Sequence, residues 1–218
     1  AGVVAARQIA KAAGFDNVIT GDMGGTSFDV SLVADGKNML TAQASIDFGL
    51  VIRTPMIEMS TIGAGGGSIA HIDDTGLLEV GPDSASSDPG PACYGLGNDR
   101  PTVTDANLVL GRIDAREPIG NKLTKLDRNA ATAAIQKYIA DPLDMIVEDA
   151  AEAIIKVANS KMAGAIRLIS IERGHDPKLF ASMPFGGGGA LHAGALIQDI
   201  GLAAAIVPRY PGVTSAIG

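Results

Sequence analysis

The sequence predicts an α/β fold: a mixed sheet that begins as a three-stranded antiparallel meander, with helices on both of its faces. Three observations predict it. An amphipathic stretch, AGVVAARQIAKAAG (residues 1–14), is followed by apolar runs separated by turn chemistry. Further on, KLFASMPFGGGGALHAGALIQDIG (178–201) reads as strand, glycine turn, helix. Between these, residues 127–140 and 144–173 carry helical periodicity.

The elements follow in order. Residues 3–13 read as a helix ended by Gly14. Strands are expected at about 17–21, 27–34 and 38–44, the last two joined by ADGKN, with Asp35-Gly36 as the turn. LVIRTPMIEMSTIG (50–63) supplies one or two more strands, interrupted by Pro55, which cannot donate to a ladder. HIDDTGLLEVG (71–81) is a short hairpin turning at Asp73–Gly76. Residues 81–101 are a Gly/Pro/Ser-rich loop too long to be a simple connection. TDANLVLGRI (104–113) reads as a short helix capped by Thr104 or Asp105.

The helix over 127–140 is expected to break at Asp141-Pro142. The longer helix over 144–173 places Ile154, Ala158, Met162, Ala165 and Ile169 on one stripe and stops at Gly174. Gly164 inside it costs about 1 kcal/mol against alanine, which suggests close helix packing there. LAAAIVPRYPG (202–212) reads as a closing strand. No internal repeat is present.

Composition narrows the function. The 218 residues are 46% hydrophobic, enough for one substantial core or two small ones. Aromatics make up only 4%, tryptophan is absent and glycine numbers 28, a mix that suits close backbone packing better than a carbohydrate-stacking surface. The net charge is −7 with no basic run, which argues against nucleic acid. A single cysteine, Cys93, allows no internal disulfide and points to a reducing compartment. No apolar run reaches the roughly 18 residues of a membrane span, and no signal-peptide pattern appears, so a soluble cytoplasmic protein is expected. The chain opens inside a helix without Met and closes on a turn, as a segment of a longer polypeptide does.

The densest chemistry lies in TGDMGGTSFDV (20–30). Gly-Gly alone is an ordinary hairpin signal. An ordinary turn does not need Asp22 and Asp29, seven residues apart, flanking Gly24-Gly25-Thr26-Ser27. Such a turn can direct N–H groups, hydroxyls and a carboxylate at a small anion or at a metal bound to it. A second glycine site, PFGGGGALHAGAL (184–196), has the strand–glycine–helix form of an anion or nucleotide seat. A third, STIGAGGGSIAHID (60–73), matches G-x-G-x-x-A at Gly65, Gly67 and Ala70, but a hairpin follows instead of a helix, which excludes a dinucleotide reading. No Walker lysine motif is present, so a P-loop enzyme is excluded. His71, His175 and His192 are too scattered for a spaced metal motif; packing or capping is the expectation for His192. Cys93 in DPGPACYG lacks an activating base or positive field and reads as a structural loop cysteine.

A hairpin of the form D-x-G-G-T-S-x-D followed much later by strand–GGGG–helix is the order used by actin-like and sugar-kinase-like ATPases. TGDMGGTSFDVSLV, STIGAGGGSIAHID, DPGPACYG, PTVTDANLVLGRI, RGHDP and FGGGGALHAGAL together resemble the A subunit or region of the hydantoinase/oxoprolinase family, the ATP-dependent hydantoinase A or N-methylhydantoinase type. The resemblance covers essentially the whole chain in the right order, as a central fragment. It implies a ribonuclease-H-like lobe over residues 1–218, with 57–112 as a glycine/proline-rich family insertion. It also implies ATP and Mg2+ as cofactors and ATP-dependent opening of a cyclic amide by phosphorylation of the amide oxygen.

Carried over residue by residue, the resemblance gives Asp22 the role of orienting metal, water or phosphate, and so the catalytic candidacy. Gly24, Gly25, Thr26 and Ser27 would donate to phosphate, and Asp29 would brace the turn or hold the metal through water. Gly186, Gly187, Gly188 and Gly189 would contact the adenosine or α-phosphate, and Gly63, Gly65, Gly66 and Gly67 would border the transfer site. Two departures stand out. Relatives usually read G-G-A-G-P-L-H-A where this chain has Gly186–Ala193, and the family's first phosphate hairpin has no counterpart here. The expected partners are therefore that first lobe of the same chain and a B-type subunit or region, and the isolated chain is expected to be inactive. Ketone carboxylase subunits share these motifs and form the alternative reading; a non-catalytic nucleotide-binding or scaffolding lobe is another.

Overall fold

The computed structural model describes residues 1–42, 44–46, 50–116 and 125–218. In chain order the strands are β1 (Val18–Met23), β2 (Phe28–Ala34), β3 (Lys37–Asn38), β4 (Leu40–Thr41), β5 (Ala44–Ile46), β6 (Leu50–Ile52), β7 (Met56–Ile57), β8 (Met59–Ile62), β9 (Ser68–Ile72), β10 (Leu78–Ser84), β11 (Ala181–Phe185) and β12 (Ala204–Ala205). The helices are α1 (Gly2–Ala12), α2 (Val103–Val109), α3 (Arg128–Ile135), α4 (Asp141–Leu143), α5 (Val147–Ile169) and α6 (Gly189–Ile200). These form two units: Ala1–Asp22, Asp29–Ile62 and Ala163–Gly218 in the first, Met23–Phe28 and Gly63–Met162 in the second.

The first unit is built on a mixed six-stranded sheet in the order β12-β11-β1-β2-β3, with β8 also paired to β2. β1 and β11 run parallel, in register from Val18↔Ala181 to Asp22↔Phe185, and β12 continues the parallel side. β3 pairs antiparallel with β2 around Asp35-Gly36, whose φ values of 50° and 69° are the left-handed pair a tight hairpin turn requires. Small residues let α1 lie close on the sheet: Ala6 and Ala10 pack with Val18, Val33, Ala181, Met183 and Phe185. Pro184 points the opposite way, as strand alternation demands, and the start of α6 at Gly189 packs there. Helices therefore cover both faces. Because β1 and β11 are parallel and in register, the turns that follow them leave the same end of the sheet.

The expected third meander strand is shorter than 38–44. Only Lys37–Asn38 joins the main sheet, while Leu40–Thr41 pairs with Met56–Ile57 in a separate ladder; residue 43 of that expectation lies outside the described residues. The closing strand shrinks to Ala204–Ala205 and is followed by a 3-10 helix over Pro211–Ala216.

In the second unit β9 and β10 form the expected antiparallel hairpin. Asp73 Oδ1 accepts from the N–H groups of Thr75 and Leu77 and from the Thr75 hydroxyl, which shapes the turn. The cap of α2 is Thr102, two residues before the expected pair; Asp105, the third residue of the helix, closes a reciprocal capping box with it. Buried Asp105 also accepts from the N–H groups of Ala92 and Cys93, so it ties the long loop to the helix start. The break expected at Asp141-Pro142 falls later. A π-helical turn over Gln136–Ala140 joins α3 to α4, Pro142 stands in the first turn of α4 where its missing N–H is harmless, and Asp144 ends the run at a left-handed φ of 51°.

The stripe on α5 is buried as its spacing predicts, from Ile154 to Ile169. Gly164 is different: nothing lies within 4 Å of where its Cβ would sit, so close packing is not its reason. No helix among the described residues is long and apolar enough to cross a membrane.

Candidate active site

β1 and β2 are neighbours joined by only four residues, which requires them to run antiparallel. The Thr20 hydroxyl donates to the Ser31 carbonyl and locks the base of this hairpin. Alternation along β1 places Thr20 and Asp22 on the side that carries Val18 and α1. There Asp22 and Asp29, both half-buried, line one cavity of about 270 Å³ whose other walls include Gly2, Ile57, Met59 and Phe185.

Each carboxylate is held by a hydroxyl. Ser215 Oγ donates to Asp22 Oδ2 at 2.8 Å, and Thr61 Oγ1 donates to Asp29 Oδ1 at 2.6 Å. Among the described residues no basic side chain lines this cavity. Two carboxylates that form no ion pair with any described side chain are the hard oxygen donors a divalent cation takes. Among the described residues there is no cluster of three or more metal-ligating side chains. Mg2+ suits such a sparse set, because it keeps several waters and takes only one or two carboxylates beside phosphate oxygens.

The tip of the same hairpin, Gly24–Ser27, lies in the second unit. Gly24 N–H donates to the Ser27 carbonyl and closes the turn. The glycine run after β8 fixes its other side: Gly66 N–H donates to Gly24 O at 3.0 Å, and Gly67 N–H donates to Gly25 O. Gly66 O in turn accepts from both the N–H and the hydroxyl of Thr104. A Cβ at Gly65 would sit 2.6 Å from the Gly25 backbone, so only glycine allows this approach. The carbonyls of Gly24, Gly25 and Ser27 are thus engaged. Among the described residues the N–H groups of Gly25, Thr26 and Ser27 and the hydroxyls of Thr26 and Ser27 carry no hydrogen bond, and Gly24, Gly25 and Thr26 are exposed. A backbone held from behind with donors left open is the form of an anion-binding nest.

Gly186–Gly189 form the turn between β11 and α6 in the first unit, at the sheet end where Asp22 sits beside Phe185. Gly186 N–H donates to Pro211 O, and Gly188 starts the helix with no side-chain cap, leaving its first turn open to an anion. His192 is buried within α6. His175 stacks edge-on against Phe180 at 5.6 Å. Cys93 is buried, and burial together with the Asp105 carboxylate pushes its thiol well above the ordinary range, so it stays protonated and is no nucleophile.

The sequence profile of the hydantoinase/oxoprolinase family matches residues 1–218, the whole chain. The chain belongs to the hydantoinase/oxoprolinase family. Among curated members it is similar to caprolactamase subunit alpha of Pseudomonas jessenii, 46% identical across 96% of this chain and 30% of that subunit. The crystal structure of that ATP-dependent caprolactamase matches with a TM-score of 0.86 over 97% of this chain and 30% of that one. The 5-oxoprolinase of Saccharomyces cerevisiae is 38% identical across 90% of this chain and 16% of its own length. A nucleotide-free structure of acetone carboxylase matches with a TM-score of 0.89 at 33% identity, over 99% of this chain and 30% of that one. The chain therefore spans less than a third of these family members.

Proximity in sequence brought Asp22, the glycine tip and Asp29 forward as one site. Thr61, Thr104 and Ser215 were missed. Thr61 and Thr104 are ordinary hydroxyls in runs read as strand and helix cap, and Ser215 meets Asp22 across 193 positions. No local pattern marks such a pair.

Proposed function

We propose that this chain is the ribonuclease-H-like part of an ATP-dependent hydrolase that opens a cyclic amide. The observation that carries the reading is the pair Asp22 and Asp29, which flank a glycine phosphate turn in sequence and line one cation-ready cavity. Identity of 46% to a caprolactamase subunit and 38% to a 5-oxoprolinase supports a lactam or related ring as substrate.

In this reading Asp22 and Asp29 hold Mg2+, directly or through water. Gly25, Thr26 and Ser27 donate N–H and hydroxyl hydrogens to phosphate oxygens, and Gly24 shapes the turn that presents them. Gly186–Gly189 seat the adenosine or α-phosphate. The chemistry ATP supplies is activation: an amide is a poor electrophile, and phosphorylation of its oxygen creates a good leaving group. The chain's own contribution is positioning and charge stabilisation. The remaining parts of the cleft, a first phosphate-binding lobe and a B-type subunit or region, lie elsewhere in the whole protein or its partner. The single buried Cys93 suits a reducing compartment, and we place the protein in the cytoplasm.

The test is ATP hydrolysis by the whole protein with caprolactam, 5-oxoproline and hydantoin, followed by ring-opened product. Turnover coupled to one of these supports the reading. The acetone carboxylase match favours one second reading, a ketone carboxylase subunit. ATP consumption that depends on a ketone and bicarbonate, with no lactam opened, would establish that alternative instead.

A further inference from the structure

The cavity carboxylates lack any ion-pair partner among the described residues. Free rotamers would let either carboxylate turn away from the cavity. Each is instead held at one oxygen by a hydroxyl, Asp22 at Oδ2 by Ser215 and Asp29 at Oδ1 by Thr61. The second oxygen of each, Asp22 Oδ1 and Asp29 Oδ2, accepts no side-chain hydrogen bond among the described residues.

We propose that Ser215 and Thr61 are positioning residues, which hold the Asp22 and Asp29 carboxylates as a matched pair for a divalent cation. The inference rests on the cation role proposed above for the two aspartates.

The elements that carry the hydroxyls are themselves anchored. Thr61 lies on β8, which pairs with the strand that bears Asp29. Ser215 lies in the 3-10 helix Pro211–Ala216, where Pro211 O accepts from Gly186 N–H and buried Thr214 donates its hydroxyl to Tyr210 O. The space beside Ser215 is tight. A Cβ at Gly2 would lie 2.8 Å from Ser215 Oγ and 2.9 Å from the Phe185 ring, so α1 packs against the serine with no room for a side chain between them. A hydroxyl that only satisfied a turn would need neither this backing nor a carboxylate partner so remote in sequence. Outer hydrogen bonds of this kind fix a ligand's orientation, and their loss typically weakens metal binding by about 10–100-fold.

The experiment uses the whole protein that carries this chain and Mn2+ as the probe, titrated with a non-hydrolysable ATP analogue present and followed by the spin resonance of free Mn2+. Ser215→Ala and Thr61→Val should each weaken Mn2+ binding about tenfold, with melting curves unchanged in shape, while Thr61→Ser stays within about twofold of wild type. Asp22→Asn and Asp29→Asn serve as the reference. Unchanged Mn2+ affinity in Ser215→Ala and Thr61→Val, beside weakened affinity in the aspartate variants, would overturn the positioning role and leave the cation reading intact. Unchanged affinity in all four would sink both. Should Ser215→Ala fail to fold, the Thr61→Val and Thr61→Ser pair decides alone.

Discussion

At Asp22 two local demands meet: a strand that must stay in register with β11 and a carboxylate that must face a cavity. In the whole protein, Asp22→Asn keeps the shape and removes the charge. ATP turnover is expected to fall by roughly 100-fold or more, as loss of a preorganised charge-stabilising group does, with an unaltered melt. Near-normal turnover would remove Asp22 from the mechanism. Gly65 makes the complementary case, where an added atom does the damage. Its new Cβ would meet the Gly25 backbone at 2.6 Å, and backbone cannot swing aside as a side chain can. Gly65→Ala is expected to cost about 1–3 kcal/mol in urea unfolding and, on the proposed reading, to weaken nucleotide binding by displacing the Gly24–Ser27 turn. Stability and binding both unchanged would mean the tip is not held by the glycine run. The aspartates and glycines were legible because their spacing is local. What Gly65 does was not, because a close approach between segments forty residues apart leaves no periodicity.

At the scale of elements, local patterns told most where a single face meets the core. The α5 stripe and the β9–β10 turn came through, since each depends on spacing or on one Asx side chain. Ends and interruptions were harder to read: the π turn before Pro142 and the two-residue β3 are set by tertiary fit. One joint between elements titrates. Lys161 on α5 donates to Glu79 on β10 at 2.6 Å and to Val80 O at 2.8 Å, and this ammonium holds the Glu79 carboxyl below its ordinary range. A folded-state pKa below the unfolded value means the bond's stabilisation is present above the ordinary glutamate value near 4.5 and is lost as pH falls through the lowered one. Lys161→Met should therefore be less stable than wild type at pH 7, with the charge-dependent part of that gap closing below about pH 4.5. Urea midpoints across pH 3–7 measure it. A gap that does not narrow on acidification would assign the effect to the Val80 contact and to packing.

Charge decides the largest scale. The chain carries −7 overall, and among the described residues the cavity that holds Asp22 and Asp29 has no basic side chain on its walls. A nucleoside triphosphate brings several further negative charges. In the proposed reading the donors this chain would offer it are neutral: hairpin N–H groups, two hydroxyls and the glycine turn before α6. Neutral hydrogen bonds exposed to water contribute only about 0.5–1.5 kcal/mol each, and a bound cation offsets part of the repulsion without replacing the enclosure phosphoryl transfer needs. Ordering the triphosphate and the hairpin sets a cost of several kcal/mol against these gains. The 218 residues taken alone should therefore bind Mg-ATP no tighter than about millimolar and open no ring, while the whole protein is expected to bind it far more tightly; the chain covers 30% of the caprolactamase subunit it resembles. Calorimetry with Mg-ATP on both proteins makes the comparison. Micromolar binding or turnover by the 218 residues would mean that they suffice by themselves, and that the first phosphate-binding lobe and the B-type subunit or region proposed above are not needed for nucleotide binding.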